Sequence, residues 1–129
     1  MVGNEKIKFI AEIGLNHNGS LDLAKKHIES AKISGATIAK FQTYFSETRT
    51  TLNSPIYSIL KQCELSPDQY SLIKEFCANI GIEFASTPFC AKSADLLFDL
   101  KCENFKVASF HLGNKKLISR ILEKSKCKN

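Results

Sequence analysis

The sequence predicts an α/β fold in which four consecutive strand–helix units build a parallel sheet, and three observations carry that expectation. Short apolar runs alternate four times with segments of helical periodicity. The helical segments are flanked by capping and stop residues, such as Ser20 and Gly35 around the first. The composition, 43% hydrophobic and 24% charged over 129 residues, supplies a core and excludes the balance of a disordered chain.

The first strand is expected over Lys6 to Ile13. Leu21, Ala24, Ile28 and Ala31 then recur on one face of a crossover helix whose other side carries Asp22, Lys25, Lys26, Glu29 and Lys32. A second strand is expected from Ala36 to Gln42. Ser66 followed by Gln69 reads as a capping box, opening a helix with Tyr70, Ile73, Phe76, Cys77 and Ile80 as its buried stripe and Gly81 as its stop. Strand three is expected over Ile82 to Ser86 and helix three over Ser93 to Lys101. Strand four follows over Asn104 to Ala108 and helix four over Asn114 to Lys124. The one long irregular stretch runs from Thr43 to Leu65, broken at Asn53-Ser54-Pro55, with a short helix expected around Ile56, Ile59 and Leu60. Loops of that length usually carry function.

Eighteen Lys and Arg against thirteen Asp and Glu give a net charge of +5, part of it in a C-terminal run containing Lys124, Lys126 and Lys128. That excess permits either nucleic acid or an anionic small molecule and by itself chooses neither. Nucleic acid is not expected as a partner, because none of the four helices is uniformly basic and no aromatic strand motif is present. Five scattered cysteines without a C-x-x-C pair suggest reduced thiols. No apolar run reads as a membrane span or a signal peptide, so a cytoplasmic location and no membrane partner are expected.

Strand side chains alternate faces. In the second strand Ile38, Lys40 and Gln42 share one face and Thr37, Ala39 and Phe41 the other. In the first, Ile10 and Glu12 share a face. In the fourth, Phe105 and Val107 suit a helix layer, which turns Lys106 and Ala108 the opposite way. Glu12, Lys40 and Lys106 are therefore expected inside, at or near the carboxyl ends of three parallel strands, where α/β folds bind ligands. Taken singly, each reads equally well as a strand-end charge reaching solvent. Two such lysines without a glycine-rich phosphate loop suit a small dianion or carboxylate. Alone, Asn18-Gly19 reads as a turn before a capped helix and Ser86-Thr87-Pro88 as the start of a loop. His27 is expected on the surface.

Ala11-Glu12-Ile13-Gly14-Leu15-Asn16-His17-Asn18-Gly19, Lys40-Phe41-Gln42-Thr43, Ser86-Thr87-Pro88-Phe89 and Lys106-Val107-Ala108-Ser109 occur in one order, each at a strand end. Together they resemble the sialic acid synthase family, which includes N-acetylneuraminate, legionaminate and pseudaminate synthases. The resemblance implies a partial (β/α)8 TIM barrel: its first four strand–helix units, with residues 1–129 as the N-terminal half. The C-terminal barrel half and the antifreeze-like domain of the family are then absent from this chain. It implies a transferase that condenses phosphoenolpyruvate with an N-acetylated hexose, such as N-acetylmannosamine, and releases phosphate in carbohydrate biosynthesis. In that reaction the enol carbon attacks the sugar aldehyde, water adds at the cationic carbon bearing the phosphate, and phosphate leaves by carbon–oxygen cleavage.

By the same resemblance, Lys40 and Lys106 bind the phosphate and carboxylate region of phosphoenolpyruvate, with Gln42, Thr87 and Ser109 donating hydrogen bonds. Glu12 resembles the carboxylate that contacts the acceptor sugar and its divalent metal environment, a catalytic position, and Asn16 and His17 belong to the turn that shapes that end of the pocket. His111 stands where the family commonly has an acidic residue with a proton-transfer or water-positioning role. A histidine can move protons near neutral pH, and it can equally be a packed loop residue hydrogen-bonded to backbone. The intact family uses a divalent metal, Mn or Mg, and none of His17, His27 and His111 matches its ligands, so no metal ligand is expected here. The family is implied to be homodimeric. On these grounds the chain by itself is expected to be inactive, and an alternative stays open: a truncated non-catalytic fragment, or half of a split enzyme that needs a complementing chain.

Overall fold

The computed structural model describes residues 7–126. In chain order it contains β1 (Ile10–Gly14), α1 (Leu21–Ile33), β2 (Ile38–Thr43), α2 (Ser46–Arg49), α3 (Tyr57–Cys63), α4 (Pro67–Ile80), β3 (Glu83–Pro88), α5 (Ala91–Asp99), β4 (Asn104–Phe105) and α6 (Lys115–Lys126). A 3-10 turn, Ser109–His111, precedes α6. The four strands form one parallel sheet in the order β1-β2-β3-β4. Each strand thus lies beside its successor after a helical crossover, as the alternating pattern requires.

Local signals set most of the boundaries. Ser20 caps α1 by accepting from Leu23 N–H, and Gly35, at φ 87°, carries the chain out past the C-cap Ser34. Both halves of the Ser66/Gln69 capping box are formed, and Gly81 ends α4 in the left-handed region at φ 72°. Asn114 caps α6 through its side-chain oxygen, which accepts from Leu117 N–H. Helix α5 starts at Ala91, earlier than expected, because Cys90 and Ser93 cap one another's backbone there.

The core lies between one face of the sheet and helices α1, α4 and α5. Ile13, Ala39, Phe41 and Phe84 from the strands meet Ala24, Ile28, Ile73, Cys77 and Leu97 from the helices, all buried. Of the expected α4 stripe, Tyr70, Ile73 and Cys77 are buried and Phe76 and Ile80 are partly so. A second cluster of Ala94, Phe98, Leu117 and Ile121 joins α5 to α6, and Phe105 and Val107 pack onto it, the side assigned to them by alternation.

Three expectations need correction. The first strand begins at Ile10 instead of Lys6, which lies outside the described residues. Phe9 already spends its carbonyl on the N–H groups of Thr37 and Ile38, where β2 is still turning in. The fourth strand is two residues long instead of five: Lys106 N–H still donates to Ser86 O, after which the chain leaves the ladder for the 3-10 turn. The long connection holds two short helices, α2 and α3, where one was expected. No described helix is long and apolar enough to cross a membrane.

Candidate active site

Among the described residues no helix packs on the sheet's other face, and at its carboxyl end the three charges expected from alternation come together. Glu12 and Lys40 are register partners on β1 and β2. Lys40 Nζ lies 2.5 Å from Glu12 Oε2, and Lys106 Nζ lies 3.8 Å from Glu12 Oε1. One carboxylate therefore serves two ammonium groups. Lys40 is buried at 5% exposure, and its charge is tolerable there because the carboxylate is paired to it. Glu12 and Lys106 are not inside: their side chains remain 56% and 57% exposed, because among the described residues nothing covers this face. The cluster borders a shallow cavity that also touches Ile10, Ile38, Ala85 and Phe105.

Thr87 and Gln42 lie one step further toward the strand ends and are themselves register partners. Thr87 is buried on the open side, and its Oγ1 has no hydrogen-bond partner among the described residues. A buried hydroxyl left this way needs a ligand or water to complete it. Gln42 accepts a hydrogen bond from Arg49 Nη1 at 3.2 Å through Oε1. Its Nε2 faces β1, 3.6 Å from where a Cβ on Gly14 would stand.

Asn16 and His17 act through the turn after β1. Asn16 Nδ2 donates to Ile13 O at 2.9 Å, and Asn16 O accepts from His27 Nε2 at 3.2 Å, which ties the turn to α1. His27 is thereby half-buried, in place of the fully surface residue expected. His17 is completely buried on the helix side, its ring 5.9 Å from that of Phe41, and its Nδ1 accepts from Gly19 N–H. Nε2 has no hydrogen-bond partner among the described residues. Burial holds the His17 pKa below its ordinary value, helped by nearby His27 and opposed by Gly14. The imidazole is thus kept neutral. The turn ends on Gly19, at φ 78°, where any side chain would overlap the Gln62 carbonyl in α3.

Ser109 and His111 sit in the 3-10 turn, and among the described residues no hydrogen bond or ion pair joins them to the cluster. Ser109 is exposed, and its hydroxyl makes no hydrogen bond among the described residues. The His111 ring packs 4.4 Å from Phe110 and 5.8 Å from Phe89, and its buried Nδ1 has no hydrogen-bond partner among the described residues.

The long connection is strapped over the strand ends by polar contacts that alternation could not reveal. Tyr70 OH donates to Gln42 O at 2.7 Å, Tyr44 OH donates to Leu60 O at 2.7 Å, and Ser46 donates to Glu64 through both its N–H and its hydroxyl. Burial raises the pKa of both phenols, so they remain donors. Arg49 was missed altogether. Its available signal was its rarity: it is one of two arginines in the sequence and stands in the longest loop.

Residues 27–127 match the model of the NeuB family. The chain is 38% identical over 117 residues to the uncharacterized protein MJ1065 of Methanocaldococcus jannaschii, covering 91% of this chain and 35% of that protein. It is 38% identical over 119 residues to the N,N'-diacetyllegionaminic acid synthase of Legionella pneumophila, covering 81% of this chain and 33% of that one. Among solved structures, it resembles the N-acetylneuraminic acid synthetase of Leptospira borgpetersenii, crystallised with citrate. The TM-score there is 0.89 at 32% identity, over 96% of this chain and 46% of that one. The chain therefore spans about a third of the length of these curated relatives.

Proposed function

This chain belongs to the NeuB family, and on that premise we propose that it binds phosphoenolpyruvate for condensation with an N-acetylated hexose, giving a sialic or related nonulosonic acid and inorganic phosphate. The observation that carries this reading is the Lys40–Glu12–Lys106 cluster on the uncovered carboxyl end of the sheet. The two ammonium groups neutralise the phosphate and carboxylate of the donor substrate, and Gln42 Nε2 and Thr87 Oγ1 donate to its oxygens. As the ligand's anions take up the lysines, the Glu12 carboxylate is released toward the acceptor sugar. Ser109 joins the donors from the 3-10 turn, and His111 moves a proton for the water that attacks the cationic carbon. The enol π pair forms the carbon–carbon bond to the aldehyde carbon. The C=O π pair moves onto the aldehyde oxygen, which becomes a hydroxyl with the proton given up by the attacking water. Water supplies the new hydroxyl on the neighbouring carbon, and the carbon–oxygen bond to phosphate then breaks.

Among the described residues no group of three or more His, Cys, Asp or Glu could hold a metal ion. These residues do not fit the divalent metal implied for the intact family, and the chemistry assigned to this chain rests on its own side chains. The same reading makes residues 1–129 the first four units of an eight-unit barrel, homodimeric and cytoplasmic in the intact synthase. Calorimetric titration of phosphoenolpyruvate into the chain tests it. Binding that is weakened in both Lys40→Met and Lys106→Met is the expected result, and a parent chain that takes up no phosphoenolpyruvate overturns the reading.

A further inference from the structure

Arg49, the last residue of α2, is half-buried, and among the described residues no carboxylate pairs with it. A desolvated cation must be compensated. Here its guanidinium lies 4.0 Å from the centre of the Phe89 ring and 4.7 Å from that of Tyr44, so aromatic faces supply part of the attraction. Both rings are themselves anchored, Tyr44 by its bond to Leu60 O and Phe89 by edge contact with His111. Among the described residues its one hydrogen-bond partner is Oε1 of Gln42.

A guanidinium has five donors and no acceptor, whereas a glutamine amide has one end of each kind. Arg49 can therefore hold Gln42 in one sense only. We infer that Arg49 is a positioning residue that turns Gln42 Oε1 to the loop and Nε2 to the open carboxyl end of the sheet. Gln42 then meets a bound anion as a donor and never as an acceptor. With the amide reversed, its carbonyl would face the oxygens of phosphoenolpyruvate, and the contact would be repulsive. The lack of a carboxylate on Arg49 belongs to the device, because a competing acid would draw the guanidinium off the amide. This role rests on the proposed ligand only for its consequence; the orientation of Gln42 is a property of the free chain.

The test uses the isotopically labelled chain in solution. The Gly14 Hα that occupies the Cβ direction faces Gln42 Nε2, so a nuclear Overhauser cross-peak between it and the Gln42 side-chain amide protons is expected. Arg49→Met should remove that peak and Arg49→Lys, which still only donates, should keep it. A parent chain without the peak overturns the inference with no variant needed, and so does an Arg49→Met chain that retains it. In parallel, Gln42→Ala should weaken phosphoenolpyruvate binding about tenfold in the parent and less than about twofold in an Arg49→Met background. Equal losses in both backgrounds overturn the inference. If the parent binds no phosphoenolpyruvate, the proposed function falls, while the cross-peaks still decide the role of Arg49.

Discussion

The two faces of the sheet are made from alternate residues of the same strands, and they differ in almost every physical respect. On the helix-packed face Ala39, Phe41 and Phe84 are buried against α1, α4 and α5. On the open face Glu12, Lys40 and Thr87 gather charge and an unpartnered hydroxyl, and two of the three ion-pair members stay more than half exposed. Lys40, Phe41 and Gln42 are consecutive, yet the first and third lie on the open face while the second is buried in the core. A period of two thus separates the stabilising face from the face proposed to bind ligand within three residues. Substitutions at neighbouring positions should therefore have unrelated consequences.

The strongest test of that separation is Phe41→Ala. Removing this fully buried ring should cost about 3 to 5 kcal/mol of stability, read from urea unfolding, because the core cannot close around the space. A cost near zero would mean that the helix-packed face is not the stabilising one. Next comes Lys40→Met, with the opposite profile. It should weaken phosphoenolpyruvate binding by about 1.5 to 3 kcal/mol in calorimetry while leaving unfolding stability equal or higher, since a buried ammonium is exchanged for an apolar side chain of similar length. Loss of stability in step with binding would erase the distinction between the faces.

Ser66→Ala touches neither face. It should lower stability by about 1 kcal/mol through the α4 cap, with phosphoenolpyruvate binding unchanged. The smallest effect concerns His17, a polar group placed on the apolar side. Its pKa is lowered in the fold, so the unfolded chain takes up a proton at a higher pH than the folded chain does. The resulting stability is fully present above the unfolded value of about 6.5 and is lost as pH falls from there toward the lowered folded value. Thermal unfolding followed between about pH 7 and pH 5 should show that decline, and His17→Gln should flatten it within the same window.

Much of this partition was legible in the sequence because it depends on local rules. Alternation placed Lys40 and Phe41 on opposite faces, and the Ser66/Gln69 spacing announced a capping box that is fully formed. Alternation could not show that, among the described residues, nothing covers the open face, so Glu12 and Lys106 were expected inside and are exposed. Nor could it show that β4 would leave the ladder after Phe105, since that depends on the ladder partners supplied by β3. Arg49 escaped for a similar reason. Its partners come from two places, Gln42 and Tyr44 at the end of β2 and Phe89 just past β3, and no periodicity links a loop residue to them.

The contact at Gly19 carries a consequence for how such a sequence can drift. Conformation and space both close that position to every residue except glycine, because α3 stands directly against it. The turn after β1 and the long connection after β2 are therefore not free to vary separately. An insertion between Asn53 and Gln62 that moved α3 away would relieve Gly19, and one that pushed α3 inward would have no side chain to trim. Length changes in the connection should accordingly be accompanied by changes in the Asn16 to Gly19 turn, so two loops distant in the chain drift as one unit.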